Sequence, residues 1–190
     1  MRSIDYHEIK SRYYDKWDEV PLLLKKEIEA FIHLAPDWIV ICNNTLHKAF
    51  DQIESDLRLS IPVFHIVDAV GRFSQTQNLK HLLLLGTKFT MEDGFYQQRL
   101  EEQFGLVVQV PNLPERITIQ AIQSQLSRGI LEPEFRSNFV KLIRNYSGVD
   151  AVVLACTELP LAIHPSDVDV VILNSIEHQC KEAFEFAISN

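Results

Sequence analysis

The chain has 190 residues, 46% of them hydrophobic and 23% charged, with 18 basic against 26 acidic side chains and a net charge of −8. A chain of that length buries a core without disulfides or metal, and the composition is neither disordered nor fibrous. No basic run marks a nucleic-acid or anionic-membrane partner, and the longest apolar run, Leu82–Leu85, falls far short of the ~20 residues that span a bilayer.

Apolar residues at Val20, Leu23, Leu24, Ile28, Phe31, Ile32 and Ala35 predict a helix over 20–35. Trp38–Cys42 is an apolar run of strand length, Leu46–Leu57 has helical spacing, and Ile61–Val67 reads as extended, with Pro62 near its start. His81–Leu85 reads as a buried strand that stops at Gly86-Thr87, and Met91–Phe104 as a helix with Gly105 as its C-terminal cap. A strand at 106–110 follows, then helices at 117–128 and 133–146, a buried strand at Ala151–Ala155, another at 170–173 and a closing helix at 176–188. Short buried strands alternating with longer helices indicate an α/β fold with parallel sheets. Ligands in such sheets sit at the carboxyl ends of strands. The turns to inspect are therefore 42–45, 67–71, 86–90, 156–158 and 174–175.

The segment DWIVICNNTLH (37–47) can be laid over DAVVLACTELP (150–160) with no gap. Asp37 then meets Asp150, Val40 meets Val153, Leu46 meets Leu159, and Asn43 meets Cys156. Any two buried strands with polar turns share some of this likeness, but taken as a repeat it implies two related α/β halves whose turns face each other. The Gly86-Thr87 turn lies 69 residues before Cys156, and no position lies that far before Asn43. The first half is thus expected to be short by one βα unit, with Met1 internal to a longer reading frame.

Five stretches resemble the aspartate/glutamate racemase family: SIDYHEI (3–9), CNNTLHKAFDQIES (42–55), IPVFHIVDA (61–69), LLGTKFTMEDGFYQQRL (84–100) and LACTELPLAI (154–163). The resemblance implies two pseudo-symmetric, flavodoxin-like three-layer halves with the active site in the cleft between them. It divides the chain into 1–76 plus 170–190 and 77–169. It implies racemisation of a small acidic amino acid, aspartate or glutamate, without pyridoxal phosphate or any other cofactor, by an enzyme that is often a homodimer. Each half of the family supplies one acid/base residue, one from a Cys-Asn-Thr turn and one from a Cys-Thr-Glu turn. The second is present as Cys156-Thr157-Glu158. In the first, Asn44, Thr45 and His47 match, but Asn43 stands where the family has cysteine, and Cys42 lies one place early. A branch of the family carries threonine there, and CNNTLHKAF resembles that branch in its surroundings. Ser3, Asn44, Thr45, Thr87, Thr90, Thr157 and Glu158 are the implied substrate-binding positions. The family's closing Asp and His fall nearest Asn174 and either His178 or Gln179.

Racemisation removes a weakly acidic Cα proton on one face and returns one on the other. Without a cofactor, fixed dipoles around the α-carboxylate must stabilise the carbanion. A thiolate suits the base if a helix N-terminus or a cation lowers its pKa, and a helix is expected to open after Cys156. An isolated buried cysteine is otherwise packing material. Asn43 cannot take and return a proton near neutral pH. Three readings follow: His47 or a water serves the second face; Cys42 does so through a bulge, since neighbouring strand residues face opposite ways; or the chemistry is one-sided, as in single-cysteine decarboxylase relatives. A non-catalytic dicarboxylate-binding relative is the remaining alternative. No His/Cys/Asp cluster has metal-ligand spacing, and lone Gly86 makes no nucleotide loop. Arg99 and Arg116 read as solvated charges. Three scattered cysteines, Cys42, Cys156 and Cys180, and a polar N-terminus suit a reducing cytoplasm.

Overall fold

The computed structural model describes residues 1–189. Its elements run α1 (Tyr6–Lys10), α2 (Glu19–Ile32), β1 (Ile39–Val40), α3 (Leu46–Leu57), β2 (Val63–Phe64), α4 (Ile66–Thr76), β3 (His81–Gly86), α5 (Lys88–Glu92), α6 (Phe95–Phe104), β4 (Val107–Gln109), α7 (Leu113–Leu126), α8 (Pro133–Arg144), β5 (Ala151–Ala155), β6 (Val171–Asn174) and α9 (Ser175–Ser189). Single 3₁₀ turns occupy Leu159–Leu161 and Pro165–Asp167. The fold is α/β, as the alternation of patterns predicts, with two parallel sheets: β1-β2, and β4-β3-β5-β6.

The four-stranded sheet is covered on both faces. Leu82–Leu85 are fully buried, and the two-residue period of a strand sends them alternately to opposite sides. Leu83 and Leu85 join Ile119, Phe139 and Leu154 under α7 and α8. Leu82 and Leu84 join Ile66, Val70, Tyr96 and Leu100 under α4 and α6. Such continuous apolar strands belong to parallel sheets with helices on both faces. Asp150 ties the starts of β3 and β5 together, its Oδ2 accepting from the N–H groups of Lys80 and His81 at 2.7 and 2.8 Å. A separate core joins α2, β1 and α3 through Leu24, Ile28, Ile39 and Phe50.

Several boundaries depart from the sequence pattern for identifiable reasons. The apolar run 61–67 is strand only at Val63–Phe64, and α4, which the pattern does not reveal, begins at Ile66. His65 ends the strand: its backbone is extended and its Nδ1 accepts the Val67 N–H as an N-cap. The turn expected at 67–71 is therefore helix. Gly94, with φ +77, divides the expected helix 91–104 into α5 and α6. Gly105, with φ +64, ends α6 in the left-handed region, as its cap position requires. Asn112 starts α7 four residues early through a capping box with Glu115. β6 hydrogen-bonds to β5 and so belongs by pairing to the larger sheet, and α9 packs on α4 and against strands of both sheets, β1 and β2 of one and β5 and β6 of the other. Among the described residues, no helix is long and apolar enough to cross a membrane.

Candidate active site

The carboxyl ends of β1, β3 and β5 converge, and the turns that leave them line one cavity of about 110 Å³. It brings together Asn43, Asn44 and Thr45 after β1, Thr87 after β3, and Cys156, Thr157 and Glu158 after β5. The two turns aligned by the internal repeat thus meet across this space. The Thr45 and Thr87 hydroxyls lie 3.2 Å apart and join the two sheets directly. Thr87 Oγ1 also caps α5, accepting the Thr90 N–H at 3.3 Å.

Cys156 is 2% exposed, and its Sγ donates to Glu158 Oε2 at 2.9 Å. Thr157 Oγ1 donates to the same oxygen at 2.6 Å. Burial, then the adjoining carboxylate, pushes the thiol up to about 12. Burial works against the Glu158 charge, but hydrogen bonds from Cys156 and Thr157 outweigh it and hold that carboxyl below its usual range. The helix expected after Cys156 is only a 3₁₀ turn; the backbone N–H groups of Glu158 and Leu159 favour the thiolate, but burial and the carboxylate outweigh them. Cys156 therefore rests as a protonated thiol, with Glu158 as its proton partner. As a carboxylate, Glu158 accepts hydrogen bonds and repels other carboxylates, so within the cavity it suits an ammonium group rather than a second carboxylate.

Asn43 is half-buried. Its Oδ1 accepts the Leu46 N–H at 2.9 Å, satisfying a donor in the first turn of α3. Asn44 is 3% exposed; its Oδ1 accepts from the Ser175 hydroxyl at 3.1 Å, while its Nδ2 has no partner among the described residues. An orphaned buried donor is costly, and this one belongs to a residue that lines the cavity.

His47, one of the alternatives for the second face, is held in a structural setting. The ring is fully buried and does not line the cavity. Nδ1 bonds the Asn43 carbonyl at 2.8 Å, and Nε2 accepts the Ile66 N–H at 3.2 Å. Because an N–H acceptor needs a bare nitrogen, the proton is on Nδ1 and both nitrogens are engaged. His65 packs edge-on at 4.3 Å and bonds Asp51. Arg99 bridges Asp51 and Asp68, and Arg116 pairs with Glu92, so both arginines are structural rather than free surface charges.

Other expected positions lie at the margins. Thr90 is buried behind Thr87, their hydroxyls 2.9 Å apart. Ser3 lies in a neighbouring groove that shares Asn43, Thr157 and Glu158 with the cavity, and Cys42 faces that groove too. Gln179, not His178, turns inward: its Nε2 donates to the carbonyls of Ile41 and Phe64, while His178 packs on Phe73. Asn174 Oδ1 accepts the Ile176 N–H at the start of α9. Among the described residues, no group of three or more His, Cys, Asp or Glu is placed to hold a metal.

Sequence reasoning missed the wall formed by α1 and the turn after it. Tyr6, Lys10, Tyr13 and Tyr14 line the cavity together with Phe89 of α5. Tyr13 and Tyr14 meet Phe89 at 5.3 and 5.1 Å, and Trp17 stacks on it at 5.9 Å. The available signal was the density of aromatic residues between positions 6 and 17 in an otherwise polar stretch.

This geometry can be compared with known proteins. A Yersinia pestis protein proposed to be an Asp/Glu racemase has a solved structure that superposes with a TM-score of 0.88 at 30% identity, covering 98% of this chain and 82% of that one. An aspartate racemase homologue from Pyrococcus horikoshii superposes with a TM-score of 0.84 at 32% identity, covering 98% and 81%. Glutamate racemase from Exiguobacterium sibiricum is 25% identical over 146 residues, 76% of this chain and 50% of that protein. The chain spans about half the length of the curated relatives it matches. The model of one family, described as Asp/Glu/Hydantoin racemase, matches residues 3–183, and the chain belongs to that family.

Proposed function

We propose that the chain is a racemase-type isomerase that interconverts the L and D forms of aspartate or glutamate by moving a proton at Cα without a cofactor. The observation that carries this reading is the convergence of Cys156, Asn44, Thr45, Thr87 and Thr157 on one small cavity. Neutral donors, above all the unpartnered Asn44 Nδ2, suit the α-carboxylate, whose oxygens take up charge as the Cα proton leaves. Cys156 is the acid/base group on one face. To act as base, it passes its proton to Glu158 and accepts the Cα proton as thiolate; to act as acid, it gives its proton to the carbanion. On the other face Asn43 holds α3 and supplies no proton, and Cys42 lines the neighbouring groove rather than the cavity, so water is the carrier there. The test is exchange of the Cα proton of L- and D-aspartate and glutamate in heavy water, followed by NMR. Exchange that is lost in Cys156→Ala supports the reading; a folded protein that exchanges neither enantiomer overturns it.

The second reading is a one-cysteine lyase or decarboxylase that protonates an enolate from one face. It is favoured by Asn43 and by a thiol that rests protonated. Turnover of a substituted malonate, with no exchange of amino acids, supports it over racemisation. The homodimer and the cytoplasmic setting also stand as proposals, tested by light scattering and by fractionation of cells.

A further inference from the structure

We propose that Lys10 is the specificity-determining residue of the cavity and receives the side-chain carboxylate of an acidic amino acid. The inference rests on the amino-acid reading given above and adds the residue that would select acids within it. Among the described residues that line the cavity, Lys10 is the one cation and Glu158 the one carboxylate. Glu158 is committed to Cys156 and Thr157. Lys10, by contrast, makes no ion pair among the described residues; its Nζ only overlooks the Tyr6 ring, 6.0 Å from its centre. The other basic side chains of this segment are occupied: Arg2 pairs with Glu27, Arg12 with Glu19, and Lys16 with Glu19.

An acidic amino acid brings two carboxylates and one ammonium into a space that already holds the partly buried negative charge of Glu158. Neutral hydroxyls and amides accommodate one carboxylate by hydrogen bonding, but a second beside Glu158 needs a compensating cation. Lys10 is itself exposed, and the packing of its neighbours sets its place at the rim. Tyr13, three residues on, is 5% exposed, packs edge-on against Phe89 and shares a 3.2 Å contact between its hydroxyl and that of Tyr6. Phe89 follows Thr87 by two residues, so the same contact that holds α1 holds it over the turn that lines the cavity. A lysine ammonium on a flexible stem at the rim suits a carboxylate whose distance from Cα differs by one methylene between aspartate and glutamate.

The test compares aspartate and glutamate with asparagine and glutamine, which have the same shape without the charge. Binding is measured by calorimetry and Cα exchange by NMR, for the wild type, Lys10→Arg, Lys10→Met and Lys10→Glu, each shown by circular dichroism to be folded. The wild type and Lys10→Arg are expected to bind the acids on the order of tenfold or more tighter than the amides. Lys10→Met abolishes that preference, and Lys10→Glu reverses it. A folded Lys10→Met protein that keeps the preference overturns the assignment, as does a wild type that binds none of the four. The two readings separate cleanly. Exchange without any Lys10-dependent preference sinks the role of Lys10 and leaves the racemase; Lys10-dependent binding without exchange upholds Lys10 and sinks the racemase.

Discussion

His47 joins the turn that carries Asn43 to the start of α4, and replacing it with phenylalanine tests how much that joint holds. The substitution keeps an aromatic ring of similar size and removes two hydrogen bonds. It leaves the Asn43 carbonyl, bonded at 2.8 Å, and the Ile66 N–H, bonded at 3.2 Å, without their partners. The lost ring is fully buried, and Ile66 is buried as well. The Ile66 N–H is orphaned in a buried place at a cost of about 1–3 kcal/mol, whereas the carbonyl of half-buried Asn43 can turn to water, so His47→Phe is expected to lose roughly 1–3 kcal/mol. For a domain of this size that lowers Tm by on the order of 5 °C. There is also a pH signature. Burial, with His65 and Arg99 nearby, holds the His47 imidazole well below the usual histidine range. The unfolded chain therefore takes up a proton near pH 6.5 while the folded protein does not. The stability that His47 contributes is complete above about pH 6.5 and falls by about 1.4 kcal/mol per unit below it, down to the folded-state pKa. His178 is lowered as well, by burial against Phe73, and adds its own slope to both proteins; the difference between the two curves is what reads His47. Urea denaturation from pH 5 to 8 supplies both quantities. A loss below about 1 kcal/mol at pH 8, or an unchanged slope in the variant, would refute the reasoning.

Burial raises the Cys156 thiol most and the Glu158 carboxylate adds to it, so Glu158→Gln lowers the thiol pKa from about 12; thiolate absorbance near 240 nm, with Cys156→Ser as the reference, should rise at lower pH than in wild type. Asn43→Cys places a thiol on the face to which the proposed mechanism assigns no protein acid/base group. It is expected to raise Cα exchange while costing about 1 kcal/mol for the lost hydrogen bond to the Leu46 N–H, and exchange at or below the wild-type rate counts against an inert second face. At Gly86, an added Cβ would lie 2.9 Å from the Ala155 carbonyl oxygen and 2.9 Å from Thr90 Cβ. Gly86→Ala is therefore expected to lose about 1–3 kcal/mol in thermal unfolding and to disturb the Thr87 turn; an unshifted melting curve contradicts that close approach.

Much of the fold was legible in local pattern. Leu46–Leu57 and Ala151–Ala155 fall where periodicity places them, because a helix face and a doubly buried strand leave unambiguous apolar spacing. The turns at 42–45, 86–87 and 156–158 were legible as well, since parallel strands present their carboxyl ends together. The start of α4 was not. Ile66 and Val67 continue the apolar run of Val63-Phe64, and only His65, capping locally, and His47, 19 residues away, turn the chain into helix.

The sequence by itself determined the α/β class and the parallel sheets, which rest on apolar spacing among near neighbours, and the family, which rests on the resemblance of five stretches along the chain; the alignment of 37–47 with 150–160 paired the Asn43 turn with the Cys156 turn. Tertiary structure alone decided what those residues can do. Whether a thiol carries a proton depends on its burial and on the Glu158 oxygen 2.9 Å away, and whether a histidine is free depends on bonds to Asn43 and Ile66. The place of Lys10 beside the cavity depends on contacts between Tyr13 and Phe89, 76 positions apart. Hydrogen bonds and desolvation act over a few ångströms of space, and those distances exist only once the chain has folded.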